Sequence, residues 1–400
     1  MSSSFQNKQI VLGVTGSIAC YKSLDLASKL TQSGAIVDVI LTESAQRFVS
    51  PLAFKSITHQ RVITNLYSLD SDLAINHVAL AEQADVVIVS PATANTIAKI
   101  ANGISDDALG ATILATKAPV IIAPAMDGNM FNNQATQHNV ATLMSRGLFI
   151  AGPAEGRLAS GIVGTGRLLE TEELLGVLAM TLGKNGDLEG KHMVVSAGGT
   201  QEDIDSVRSI KNKSSGKMGY AIAEAARDRG ASVTLISAET NLANLVGVHT
   251  IKIRSAIEMQ QQLQLETLEA DAVIMAAAVA DWRPENPSNV KVKKGNSDKW
   301  VVELTRNPDI IASIKKDKLI KVGFAAESED LVENATYKIT QKNLDFIVAN
   351  NINEANSGFG TDTNKVTIIH ANGTLEKLPL MSKYEVGNAI LDRIKTGFHN

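Results

Sequence analysis

Short apolar runs alternate with longer segments of helical period through both halves of the chain. That alternation predicts parallel sheets covered by helices. In the first half, strands are expected at Gln9–Val14, Ile36–Leu41, Asp85–Ser90, Pro119–Ala123 and Leu148–Ala151. Helices are expected at Ile18–Gln32, Ala94–Ala101, Ala108–Thr116 and Thr136–Arg146. The helix-like Glu172–Leu182 runs into a polar, Gly-rich stretch, Gly183 to Gly190, where the pattern stops. It restarts with a strand at Lys191–Ala197, a Gly198-Gly-Thr200 turn and a helix at Gly216–Arg229. Strands follow at Ser232–Ser237, Asp271–Met275, Lys321–Gly323, Asp345–Ala349 and Lys365–His370, and the helix Lys383–Lys395 closes the chain. The expected fold class is α/β: two doubly wound, mainly parallel-sheet domains, residues 1–189 and 190–400. The first is flavodoxin- or Rossmann-like and the second Rossmann-like. Their openings (strand, glycine turn, helix) are alike, which common architecture explains without duplication.

Length agrees, since 400 residues exceed what one core usually serves. A net charge of −4 gives no reason to expect nucleic acid or an anionic membrane as partner. The single cysteine, Cys20, excludes an intrachain disulfide and a Cys-rich metal site. No long apolar run follows basic residues at the N-terminus, and Ala272–Ala280 is about half a membrane span. A soluble, cytoplasmic protein is expected.

The first half carries small and polar residues at its strand ends. Val11–Ala19 sets Gly13, Gly16 and Ser17 between a strand and a helix N-terminus, where free N–H groups and the helix dipole favour phosphate. The segment is not Gly-x-Gly-x-x-Gly, and no clear acidic residue closes the second strand in ribose-binding position; Glu43, after Leu41-Thr42, is only a weak candidate. A mononucleotide suits it better than NAD; a plain tight turn is the bland alternative. Thr42-Glu-Ser44 and Ser90-Pro-Ala-Thr-Ala-Asn95 end the next strands, though Thr93 would serve equally as a helix cap. Ala123-Pro-Ala-Met-Asp-Gly-Asn-Met130 looks more like a substrate clamp than a turn. His77, in Ile75-Asn-His-Val-Ala-Leu-Ala-Glu82, is a base or a structural histidine, and spacing alone does not decide.

Together, Gly-x-x-Gly-Ser-Ile-Ala, Asn-His-Val-x-Leu, Ser-Pro-Ala-Thr-Ala-Asn and Pro-Ala-Met-Asp-x-x-Met resemble, over residues 8–182, the homo-oligomeric flavin-containing cysteine decarboxylases. The resemblance implies FMN at Gly16, Ser17, Ile18, Thr42, Ser90, Thr93 and Asn95. It implies His77 as active-site base and Pro124–Met130 as the holder of the substrate carboxylate. Two positions depart from the family pattern: Asp127 replaces an Asn, and Ser160 replaces a proton-donating Cys. An acid beside a substrate carboxylate must be protonated or paired, and Asp127 and Ser160 stand as a candidate pair for the donor's work.

In the second half, Ile210-Lys-Asn-Lys-Ser-Ser-Gly-Lys-Met-Gly-Tyr220 suits an anion at a helix start, but is not a Walker A loop. Ala276–Pro284 exposes Asp281 beyond a buried strand; Lys291-Val-Lys-Lys294, Arg306-Asn-Pro-Asp-Ile310 and Val322–Glu327 follow, with Lys338 and Lys342 on one helix face. Each has a bland reading as solvated loop or helix start. As a set, with Val195-Ser-Ala-Gly-Gly-Thr200, they resemble phosphopantothenoylcysteine synthetase, the ligase usually fused to that decarboxylase in coenzyme A biosynthesis. The resemblance implies CTP against Met275, Ala276, Ala277, Asp281, Lys291, Asn307, Pro308, Asp309, Ile310, Phe324, Lys338 and Lys342. Asn212 would contact the acyl-cytidylate, and Mg2+ would be held mainly through CTP phosphates. The implied substrates are 4′-phosphopantothenate, L-cysteine and CTP, with trimeric decarboxylase and dimeric ligase contacts. Alternatives are a non-catalytic flavin-binding regulator in the first half and a two-domain NAD(P)-dependent oxidoreductase.

Overall fold

A strand that is apolar without alternation needs cover on both faces. Gln9–Val14 is such a strand, buried from Ile10 onward. A computed structural model describes residues 3–66, 76–159, 161–293, 298–327, 331–351 and 360–398. The chain divides into two compact units, Met1–Leu182 and Gly183–Asn400.

In the first unit, β1 (Gln9–Val14), β2 (Ile36–Leu41), β3 (Val62–Ile63), β4 (Val86–Ala92), β5 (Val120–Pro124) and β6 (Phe149–Ile150) form one parallel sheet. Its order is β3-β2-β1-β4-β5-β6. The helices are α1 (Cys20–Gln32), α2 (Pro51–Thr58), α3 (Asn76–Gln83), α4 (Ala94–Ala101), α5 (Ala108–Ala115), α6 (Gly128–Asn132), α7 (Gln134–Ser145) and α8 (Thr171–Gly183). An antiparallel hairpin, β7 (Ala154–Arg157) and β8 (Val163–Arg167), stands apart from the sheet. Helix starts follow side-chain chemistry: Asp107 accepts the Gly110 N–H to cap α5, and Asn133 the Ala135 N–H to cap α7.

The second unit opens with β9 (His192–Ala197), the hairpin β10 (Gln201–Asp203) and β11 (Ser209–Lys211), and α9 (Lys217–Arg227). Next come β12 (Ser232–Ser237), β13 (His249–Lys252), α10 (Ala256–Glu266), β14 (Ala272–Met275), and the hairpin β15 (Trp282–Pro284) and β16 (Leu304–Arg306). Then follow α11 (Ile310–Ser313), β17 (Ile320–Glu327), α12 (Leu331–Lys342), β18 (Phe346–Asn351), β19 (Thr363–Asn364), β20 (Val366–His370), β21 (Leu375–Lys377), β22 (Met381–Ser382) and α13 (Lys383–Gly397). Parallel strands β13-β12-β9-β14-β17-β18 repeat the order of the first sheet, and antiparallel β20 and β21 extend it. Successive residues of β9 serve opposite faces: Val195 packs with Ile222 of α9 and Ile390 of α13, Val194 with Met259 and Leu263 of α10. Each such fully buried aliphatic side chain contributes about 1.5–3 kcal/mol. A Cβ at Gly219 would lie 2.6 Å from that of Ala197, so α9 rides close on β9 and brings its N-terminus to the strand's end.

The structure moves several expected boundaries. Helix α1 begins at Cys20 rather than Ile18, because Thr15 O takes the Ser17 N–H and Ser17 O the Cys20 N–H in a tight turn. Strand β17 is longer than Lys321–Gly323, since it pairs with β18 as far as Glu327 and Asn351. Short strands β3 and β13 and helices α2, α3 and α10 were not expected. Among the described residues, no helix is long and apolar enough to cross a membrane.

Candidate functional site

In both sheets the strand order reverses beside the first strand, between β1 and β4 and between β9 and β14. Ligands of open α/β sheets bind beyond the carboxyl ends at such a point.

In the first unit, three of those ends are tied together. Thr15, 1 % exposed, donates its hydroxyl to Pro91 O at 2.8 Å and accepts the Thr93 N–H at 3.0 Å. Gly16 meets the end of β2 so closely that a Cβ would stand 2.4 Å from Ser44 Cβ. Only glycine fits that cradle, which leaves main-chain groups to face a ligand. Thr42, half-buried, accepts the Ala45 N–H through its hydroxyl at 3.3 Å. Thr93 caps α4 by accepting the Thr96 N–H, and Asn95 is exposed on that helix's first turn. Ser17 accepts the Ala19 N–H, with Ile18 exposed beside it. Ser90 is fully buried; its carbonyl accepts from Ser23 and its sealed hydroxyl has no partner among the described residues, so here it shapes the strand end from beneath.

The β7–β8 hairpin docks on the expected substrate clamp. Met126 N–H donates to Gly166 O at 3.0 Å, and a Cβ at Gly128 would lie 2.9 Å from Thr165 O. Asp127 is paired: its carboxylate accepts the Asn129 N–H at 2.9 Å as the cap of α6, a bond an Asn would make as well. Ser160 lies outside the described residues. His77 is half-buried in the first turn of α3, and no hydrogen bond or ion pair among the described residues joins it to the strand ends.

In the second unit a cavity of about 620 Å³ opens at the switch point. Met275, Ala276, Ala277, Asp281, Asn307, Pro308, Asp309, Ile310, Phe324, Lys338 and Lys342 all line it. Its alanine floor is pinned: Ser196 Oγ accepts the Ala277 N–H, Gly198 O the Ala278 N–H and Thr200 Oγ1 the Ala280 N–H. Asn307 clamps the Asp281 loop, donating to Ala280 O at 2.8 Å and accepting from Arg283 at 3.1 Å. Asp309 caps α11 and pairs with Lys342 at 3.0 Å. Asn212 is not a lining residue; its amide donates to Val279 O at 3.0 Å and so holds the floor from behind. Nor does Lys291 line the cavity: it is exposed, next to Val292, whose N–H is accepted by Asp205 and whose carbonyl accepts from Arg208.

The lining also holds Arg306 and Lys217, which belong to motifs already noted, and Lys383, Asn350 and Asn364, which no motif marks. Long-range packing brings them there; Lys383 begins the last helix, and no local signal marks it. Five basic side chains (Lys217, Arg306, Lys338, Lys342, Lys383) face two acidic ones, Asp281 and Asp309, so the cavity suits a polyanion. No group of three or more His, Cys, Asp or Glu placed to hold a metal is found among the described residues.

Residues 1–183 match the Flavoprotein family, and residues 188–398 the DNA/pantothenate metabolism flavoprotein C-terminal domain. The coenzyme A biosynthesis bifunctional protein CoaBC of Bacillus subtilis (strain 168) is 45% identical over 393 residues, which cover 97% of this chain and 97% of that protein. Its namesake in Escherichia coli (strain K12) is 38% identical over 99% of this chain and 98% of its own. A crystal structure of the C-terminal domain of a CoaBC protein is 38% identical with a TM-score of 0.47, over 54% of this chain and 98% of that one.

Proposed function

Since this chain belongs to the family of coenzyme A biosynthesis bifunctional proteins, with a decarboxylase half and a ligase half, we propose that it joins L-cysteine to 4′-phosphopantothenate with CTP and then decarboxylates the product. The match runs through both halves, which disfavours a purely regulatory first half and an NAD(P)-dependent oxidoreductase. Residues 1–189 would carry the decarboxylase and 190–400 the ligase. The observation that carries the ligase reading is the basic cavity over an alanine floor at the switch point.

In the ligase step, the substrate carboxylate attacks the α-phosphorus of CTP and pyrophosphate leaves. The amine of cysteine then attacks the acyl-cytidylate and CMP leaves. Lys338 and Lys342 neutralise the phosphates, with Mg2+ carried on the triphosphate. The Asp281 loop, fixed by Asn307, and Pro308–Ile310 hold the nucleoside, and Phe324 and Met275–Ala277 line its bed. Asn212 keeps the floor in register for the intermediate. Lys291, on an exposed segment outside the cavity lining, is the proposed further contact to the phosphates.

The first unit fits a flavin mononucleotide. Gly16 leaves no Cβ in the turn against Ser44, and Ser17, Thr42, Thr93 and Asn95 offer polar side chains around it, with Ile18 offering its main chain. Bound there, FMN would supply reversible hydride chemistry to the cysteine Cβ–S unit, allowing CO2 to leave between its two hydride transfers. His77 moves the substrate proton, and Pro124–Met130, under the β7–β8 hairpin, orients the carboxylate. Asp127 and Ser160 are the proposed donor pair. Exposed Ile18, Tyr21 and Leu52 supply apolar surface for the proposed trimeric contact, and the ligase halves pair as dimers. The proposed setting is the cytoplasm.

Pyrophosphate release with cysteine omitted tests the first half-reaction in isolation. The parent chain should release it from CTP and 4′-phosphopantothenate; Lys291→Gln should release less, and Asn212→Ala should release it but pass little on to cysteine. Parental release by Lys291→Gln would remove that lysine from the site, and no release by the parent would refute the ligase reading.

A further inference from the structure

Lys217 and Lys383 open α9 and α13, and both line the cavity. The two helices start side by side. Gly387, one turn into α13, packs on the Ala221 carbonyl, one turn into α9; a Cβ there would lie 3.2 Å from that oxygen.

Lysine is the wrong charge for the first turn of a helix, where the dipole favours anions. Here two such lysines adjoin, and Lys383 is only 5 % exposed. Burial pushes its ammonium down from the usual lysine range, and the neighbouring Lys217 pushes it further. Segment 360–362 steadies both groups. Lys217 Nζ meets Asp362 at 2.7 Å and Gly360 O at 2.9 Å, and Lys383 Nζ donates to Thr361 O. Asp362 is 88 % exposed, so water screens it heavily. An arrangement unfavourable for stability, on the wall of a cavity, is what an anionic ligand would make favourable.

We propose that Lys217 and Lys383 form a phosphate subsite of this cavity, additional to Lys338 and Lys342. The subsite rests on the ligase reading for the source of its phosphate. The two sources are the triphosphate of CTP and the phosphomonoester of 4′-phosphopantothenate.

The test uses the full chain, with inorganic pyrophosphate as probe by calorimetry and steady-state ligase kinetics alongside. Lys383→Met keeps the side chain's length, and Lys217→Gln changes a more exposed residue, so that one variant remains should the other unfold. Each should bind pyrophosphate about tenfold more weakly, the loss of one charge-assisted contact. Each should also raise KM for one substrate by a similar factor: CTP if the triphosphate sits there, 4′-phosphopantothenate if the phosphomonoester does. Pyrophosphate affinity and both KM values at parental level in the folded variants would overturn the subsite. A parent without ligase activity would instead refute the ligase reading, and the pyrophosphate comparison would still decide the subsite.

Discussion

Asn307 uses both ends of its amide to hold the Asp281 loop, on Ala280 O and on Arg283. Asn212 donates its Nδ2 group to the Ala278 and Val279 carbonyls, and the Thr93 hydroxyl accepts within the first turn of α4. Residue type and motif drew attention to all three, but whether such a residue touches a ligand or holds one that does depends on partners distant in the chain. Asn307→Ala frees the Asp281 loop; losing these bonds costs about 1–3 kcal/mol, so CTP affinity measured by equilibrium binding should fall roughly in proportion. Asp205 is a further holder, one that local pattern did not mark. Its fully buried side chain receives the Arg208 guanidinium and the Val207, Arg208 and Val292 N–H groups. Arg208 holds its carboxyl far below the usual carboxylate range. A carboxyl depressed on folding contributes fully above its unfolded value, about pH 4, and loses that contribution as pH falls towards the folded value. Asp205→Asn should therefore lower the unfolding temperature at pH 7, with the gap to the parent closing below about pH 4. A gap independent of pH would show that the carboxylate charge is not what matters.

Elements with strong periodicity were the legible ones. The long apolar strands β1, β2, β4, β9 and β12 fall where the pattern predicts, because both of their faces are buried and every residue reports it. Edge strands β3 and β13 are short and partly exposed, and the β7–β8 hairpin exposes half its residues, so neither pattern nor propensity stands out. Close approach between elements is equally silent until the coordinates show it. Gly16→Ala would place a methyl against Ser44 Cβ and force β1's turn from the end of β2, an overpacking cost of about 1–3 kcal/mol. Flavin absorbance per chain should drop, while pyrophosphate release by the other unit stays at the parental rate. Full flavin content in that variant would place the cofactor elsewhere.

At the scale of the whole molecule, one strand order serves twice, with opposite chemistry at the two switch points. The first presents a glycine cradle and hydroxyls, the second an alanine floor ringed by basic side chains. Because the two candidate sites draw on residues of separate units, damage should stay local. His77→Ala should abolish CO2 release from supplied 4′-phosphopantothenoylcysteine and leave ligation intact; unchanged CO2 release would remove His77 from the chemistry. The central claim is that one chain performs both reactions in sequence. Purified full-length protein mixed anaerobically with 4′-phosphopantothenate, L-cysteine, CTP and Mg2+ should release pyrophosphate and CO2 in equal final amounts, and neither when CTP is left out. Pyrophosphate without CO2, or CO2 without CTP, would contradict it.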